Sequence, residues 1–272
     1  MYIINFIKYS KKNENKTFYD LCLIDYNKYN KNMNKTDYQK VCDFNIAFDF
    51  PQYNSISDNL KCCELRIALI EEELKELITA YEKLDYIEEM DACADILYVA
   101  YGMAYTYKID SDEYLSYLIK NNNISLFQNI KNNQLEVKTK LDLINLIKNQ
   151  FNKLVECCKI NNKEWIHALH NIIIYTYDFL VISGYNSDKI FNLVHESNMT
   201  KLCETEEIAK KTVIKYENDF KSGKSPYDTP YYYQLTSGSY SGYYIVKNKS
   251  SGKALKSINY TSVKLNLEDY KL

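Results

Sequence analysis

Residues 66–110 read RIALIEEELKELITAYEKLDYIEEMDACADILYVAYGMAYTYKID. Six carboxylates, Glu72, Glu73, Glu76, Glu88, Asp91 and Asp95, recur there at helical spacing inside two otherwise apolar segments. In the first segment Ile67, Ile70, Leu74, Leu77, Ile78 and Tyr81 make the stripe of an amphipathic helix facing a core. Glu73 and Glu76 lie on the flank of that stripe, and Glu72 lies further round. In the second segment Glu88, Asp91, Asp95, Tyr98 and Gly102 share a sector of roughly 80°, while Ile96, Leu97, Val99 and Ala100 make the rest apolar. The acids therefore sit on a helix that reads as buried.

Several like charges cannot be buried together without a cation, because desolvation and mutual repulsion both disfavour the ionised forms. Oxygen ligands without Cys or His suit a hard ion, Mg²⁺ or Mn²⁺, which accepts substrate phosphates as further ligands. For Glu64, Glu71, Glu82 and Glu89 the expectation is a solvated face with i, i+4 pairs to Lys75 and Lys83.

The run Arg66-x-x-Leu-Ile-x-Glu-Glu-x-x-Glu-Leu, followed by Asp91-x-x-x-Asp95-Ile-Leu-Tyr-Val-x-Tyr-Gly, resembles the all-α nucleoside triphosphate pyrophosphohydrolases. This MazG-like superfamily includes dimeric dUTPases and phosphoribosyl-ATP pyrophosphohydrolase. Its pattern is Glu-Glu-x-x-Glu on one helix, matched by Glu72, Glu73 and Glu76, and Glu-x-x-Asp on the next, whose final Asp matches Asp95. Ala92 stands where the family has Glu, so Asp91 or Glu88 is the candidate for the remaining ligand.

The 272 residues carry 46% hydrophobic side chains and a net charge of −2, which fits a folded globular protein with no strong electrostatic partner. The 33 Lys are matched by 36 acids without a basic stripe, so nucleic-acid binding is not expected. Arg66 is the single arginine, placed to pair with a carboxylate or to grip a phosphate. The eight Cys form no C-x-x-C or regular framework, and the three His lie outside zinc spacing. Reduced thiols in a cytoplasmic setting, without zinc, are expected. No apolar run reaches the roughly 20 residues of a membrane span.

Residues 1–40 read as an extension, with strand-like stretches at Tyr2–Ile7 and Phe18–Ile24. The segment from Val41, VCDFNIAFDFPQ, resembles the entry to the first catalytic helix in a phage and viral branch of the family, where Phe44 and Asn45 either contact a base or serve the core. From there to Lys221 there is no proline after Pro51, and the glycines are Gly102 and Gly184. Helices are expected at about 58–83, 86–107, 140–159 and 163–183, with a shorter one capped by Ser111 and a Glu-rich one from Glu204 to Asp219.

The second helix pair repeats the first. Leu77-Ile78 falls on Leu154-Val155 at an offset of 77; Ile96-Leu97 on Ile172-Ile173, Tyr101 on Tyr177 and Ile109-Asp110-Ser111-Asp112 on Tyr185-Asn186-Ser187-Asp188 fall at 76. Copy two lacks the acids: Glu72, Glu73 and Glu76 become Asn149, Gln150 and Lys153, while Asp91 and Asp95 become His167 and Asn171. It carries instead Ser197-Asn198-Met199-Thr200-Lys201, which resembles a Ser-Asn-Met-Ser-Lys element of the viral branch and implies nucleotide contacts by Asn198 and Lys201; in copy one Asn122 survives and Ser125 replaces the Lys. Gly242 to Ser257 reads as two short strands around a turn, and Gly252-Lys253-x-Leu-Lys256-Ser-x-x-Tyr260 resembles the branch's tail, so Lys253 and Lys256 either reach a triphosphate or are solvated.

The expectation is a mainly α bundle, internally duplicated, with a small C-terminal β-hairpin. It divides as extension (1–40), catalytic helix pair (41–126), degenerate pair (127–220) and loop with hairpin (221–272). The resemblance implies a metal-dependent pyrophosphohydrolase of a (deoxy)nucleoside triphosphate. Its metal would be Mg²⁺ or Mn²⁺ on Glu73, Glu76, Asp91, Asp95 and Glu88; Glu72 would serve water, and Arg66, Tyr98, Asn198, Lys201, Lys253 and Lys256 the substrate. The chain would act as a pseudodimer, alone or paired again as a homodimer. The rivals are phosphoribosyl-ATP as substrate, or a degenerate nucleotide-binding or scaffold protein.

Overall fold

The computed structural model describes residues 35–120 and 139–270. The strands expected at Tyr2–Ile7 and Phe18–Ile24, and the positions Asn122 and Ser125, lie outside the described residues.

The helices are α1 (Asp37–Ala47), α2 (Leu60–Lys83), α3 (Tyr86–Thr106), α4 (Ser111–Lys120), α5 (Lys140–Lys159), α6 (Trp165–Ile182), α7 (Ser187–Met199) and α8 (Glu206–Lys221). Strands β1 (Pro230–Gln234) and β2 (Tyr244–Asn248) and a short α9 (Leu267–Tyr270) complete the described chain. Side-chain caps start most of them: Asn59 accepts from the Cys62 amide, Asp85 from Glu88, Asn186 from Lys189 and Thr205 from Ile208. Thr36 and Thr139 each close a reciprocal capping box, with Gln39 and Asp142. The Thr36 box begins α1 at Asp37, so a boundary at 40/41 falls inside a helix.

The bundle is built around α3 and α6, which are apolar on nearly all sides. α2 packs on α3 and α5 on α6, while α1 and α7 cover α3. Ile96, Leu97, Met103, Ile172, Ile173 and Phe179 are wholly buried in one core. At about 25 cal/mol per Å² of apolar surface, that burial is the main force holding the bundle. Tyr101 and Tyr177 meet at the α3–α6 contact, their hydroxyls 3.2 Å apart, and Tyr177 donates to Asp37 at 2.8 Å.

Three expectations are corrected here. Ser111 does not cap α4: the Asp110 carboxylate accepts from the Glu113 amide at 3.0 Å, and Ser111, wholly buried, bonds His170 at 3.1 Å. Glu89 is not solvated; it is 1% exposed and paired with Lys140, which ties the start of α3 to the start of α5. The hairpin pairs β2 with β1, antiparallel from Pro230↔Asn248 to Gln234↔Tyr244. The tyrosine-rich β1, not among the strands expected from the sequence, has high β-propensity. The turn before Gly252 was read correctly, since residues 253–255 return along the other edge of β2, with Leu255 N donating to Val246 O at 2.9 Å.

His170 is wholly buried, its Nδ1 2.7 Å from the Ile166 carbonyl and its Nε2 facing Ser111. Burial pulls its pKa down to about 4. The unfolded chain binds this proton below about 6.5, so the contribution of neutral His170 is complete above that pH and lost as pH falls towards 4. Between pH 7 and pH 4 the unfolding free energy of the wild type, from urea titration, is expected to fall further than that of His170→Gln, by up to about 3 kcal/mol. Parallel pH curves for the two proteins would refute this.

Candidate active site

α2 and α3 run antiparallel through a tight connection, Leu84-Asp85, with Leu84 in the left-handed region at φ 56°. This brings the acids of both helices onto one groove. Glu73 feels Asp95, Glu76 and Glu72; Glu76 feels Glu88 and Glu72; Asp91 feels Glu88 and Glu76. All six sequence-predicted carboxylates are thus brought together. Burial, reinforced by these neighbours, lifts Glu73 to about 9, Asp95 to about 7 and Asp91 to about 6. Asp91 Oδ1 is buried without a hydrogen-bond partner.

Cations line the opposite wall. Lys201, just past the C-terminus of α7, faces Asp95 and Glu73, and burial lowers its ammonium to about 8. Lys253, after the Gly252 turn, pairs with Glu72 at 3.2 Å. Lys256 faces Asp91 and Asp95, with its ammonium 4.6 Å from the Tyr260 ring centre. Ser197 holds this segment on α7: its hydroxyl oxygen is 2.9 Å from the Tyr260 hydroxyl and 2.8 Å from the Thr261 carbonyl. Asn198, beside it, is 7% exposed.

As the side chains stand, no three His, Cys, Asp or Glu among the described residues converge into a ready-made metal cage. The donor set nevertheless fits a hard divalent ion: it is all carboxylate, internally repulsive, and includes the orphaned Asp91 Oδ1.

Tyr98 is 6% exposed and in the core, its hydroxyl 3.0 Å from His195 Nδ1. Its ring meets Phe44 edge-on at 5.3 Å. Arg66 is not paired with a carboxylate among the described residues; Nη2 donates to Asn45 Oδ1 at 2.9 Å. Phe50 and Lys247, which pack with Arg66, were not singled out from the sequence. The sequence carries no signal for Lys247, since a lysine after Tyr244-Ile-Val reads as a solvated strand end, whereas the structure buries it to 6% exposure.

A contrasting pair lies between α5 and α6. Asn171 Nδ2 donates to Gln150 Oε1 at 3.3 Å, the residues that the sequence offsets of 76 and 77 set against Asp95 and Glu73. Two amides satisfy each other where two carboxylates repel.

A family model described as phosphoribosyl-ATP pyrophosphohydrolase matches residues 50–122, which contain all six acids. An uncharacterized protein of Acanthamoeba polyphaga mimivirus is 30% identical over 236 residues, covering 82% of this chain and 91% of its own length. No solved structure matches the chain significantly. With this fold and these motifs, the chain belongs to the MazG-like, all-α NTP pyrophosphohydrolase superfamily. That family implies a nucleotide pyrophosphohydrolase-type function. Among the described residues no helix is long and apolar enough to cross a membrane.

Proposed function

We propose that the protein is a divalent-metal-dependent pyrophosphohydrolase of nucleoside triphosphates, splitting the α–β anhydride to a monophosphate and pyrophosphate. The observation that carries this is the groove itself, with six mutually repelling carboxylates on one wall and Lys201, Lys253 and Lys256 on the other. In this reading Glu73, Glu76, Asp91 and Asp95 hold Mg²⁺ or Mn²⁺, with Glu88 beside them in place of the family Glu lost at Ala92. When bound, the ion supplies Lewis-acid chemistry, acidifying water and screening phosphate charge.

Glu72, half-exposed at the groove edge, orients the attacking water and takes its proton. The water oxygen bonds to phosphorus as the anhydride oxygen leaves with pyrophosphate. Lys201, Lys253 and Lys256 stabilise charge on the phosphates, and Asn198 positions them. Lys253 is poised for this, since its present partner is Glu72.

The internal duplication is part of the same reading. The Asp110–Glu113 and Asn186–Lys189 caps, 3.0 and 3.1 Å, recur at an offset of 76, and so do the facing Tyr101 and Tyr177. The chain is then a fused pseudodimer with one working site, in which copy one supplies the acids and copy two Asn198 and Lys201.

The test is pyrophosphate release from a panel of standard and modified dNTPs and NTPs and phosphoribosyl-ATP, with Mg²⁺ or Mn²⁺ and with EDTA as control. Release in the presence of metal, abolished by EDTA, is expected. A folded protein that binds neither metal nor any nucleotide would defeat the proposal.

A further inference from the structure

Because α2 and α3 are antiparallel, Glu73 with Asp95 and Arg66 with Gly102 mark two levels of one groove. Seven residues separate the levels on each helix, about 10 Å along the axis. That is the reach from the α-phosphate of a nucleotide to the outer edge of its base. Phe44 and Tyr98 stand between, with the Lys201 ammonium 5.8 Å from the Phe44 ring centre.

The far level holds two buried cations. Arg66 is 8% and Lys247 6% exposed; among the described residues neither makes an ion pair with a carboxylate, although the Asp49 carboxylate attracts Lys247 from further off. The Phe50 ring lies 5.3 Å from the guanidinium carbon and 4.6 Å from the ammonium, contacts that offset only part of the desolvation. Lys247 donates to the Asp49 carbonyl at 3.1 Å, and Arg66 Nε has no partner. The one amide acceptor at this end is already engaged, for Asn45 Oδ1 accepts from Arg66 while its Nδ2 donates to the Val41 carbonyl at 2.7 Å. The capacity left on the two cations themselves is donor capacity, Arg66 Nε–H and the remaining protons of Lys247, with the Cys62 thiol, a weak acceptor, beside Arg66.

We propose that Arg66 and Lys247 read the substrate base, selecting one whose outer edge presents a keto oxygen, as in guanine, uracil or thymine, where adenine and cytosine present an amine. This rests on the pyrophosphohydrolase reading for the placement of the phosphates. A keto oxygen accepts from the orphaned donors; an amine turns protons towards two cations and leaves every donor unpaired. Gly102 belongs to this reader, because a Cβ there would come within 2.8 Å of Arg66 Nη1 and push the guanidinium aside.

The test compares kcat/KM for dGTP, dUTP and dTTP against dATP and dCTP in the full-length protein with Mg²⁺. At least one keto nucleotide is expected to exceed both amino nucleotides by on the order of 100-fold, the weight of a good base-edge pairing. Lys247→Met and Arg66→Gln are expected to compress that ratio at least tenfold. Gly102→Ala, which improves helix propensity while displacing the guanidinium, guards against loss of folding in the charge variants and is expected to do the same. Binding of the matching monophosphates, measured by calorimetry, gives a readout independent of turnover. A keto preference in binding without any pyrophosphate release would sustain this inference while defeating the pyrophosphohydrolase reading. Amino and keto nucleotides handled within threefold of each other, turnover confined to phosphoribosyl-ATP, or a ratio unmoved in all three variants would overturn it.

Discussion

Glu73→Gln combined with Asp95→Asn is expected to abolish pyrophosphate release, by roughly a thousandfold or more, and to make the metal-free protein more stable than the wild type. The two effects have one cause. Burial and then its acidic neighbours hold Glu73 up to about 9 and Asp95 to about 7. Above about pH 4 the unfolded chain has released these protons while the folded chain still binds them. Stability from this pair therefore falls as pH rises through that window. The double variant removes the penalty, so its advantage in urea midpoint should be larger at pH 8.5 than at pH 5 in EDTA. The Gln150–Asn171 pair between α5 and α6 shows two such amides bonded to each other in this chain. Undiminished turnover would remove these two residues from the site. A less stable metal-free variant would show that the carboxylates serve the fold.

Much of this arrangement was legible beforehand, for identifiable reasons. α2, α3, α5 and α6 fall within two residues of their expected limits at either end, because long apolar periodicity in a stretch without proline admits few alternatives. The six acids were legible because their spacing placed them on flanks of stripes that had to be buried. Which cation faced which acid was not, since Lys201, Lys253 and Lys256 come from segments more than 100 residues away in sequence. The partner of Arg66 was not legible for a related reason. On α2 it lies in line with Glu73, but the helix carries it two turns down the groove, to Asn45 and Phe50. The cap of α4 was missed because Asp110 and Ser111 are equally good caps locally, and only the buried His170 claims the Ser111 hydroxyl.

Lys201→Met is the complementary prediction. Turnover is expected to fall roughly 100-fold through loss of a charge aimed at the phosphates, and here the change in metal-free stability should depend on whether the acids are present. Lys201 favours the ionised form of Asp95 and is itself favoured by Asp95 and Glu73. Removing it leaves the acids with less compensation. Simple loss of packing would lower stability whether or not the acids are present, so the decisive protein is the triple variant. Once Glu73→Gln and Asp95→Asn have removed the carboxylates, Lys201→Met should favour the fold more than it does in the wild type, because it then relieves the desolvation of the ammonium without giving up its attraction to the acids. The coupling across this cycle, measured by urea unfolding in EDTA, is expected to reach at least about 1 kcal/mol. A coupling near zero would mean that Lys201 and the acids do not share a site. In that case the cationic wall, and with it the phosphate end of the groove, would have to be sought elsewhere.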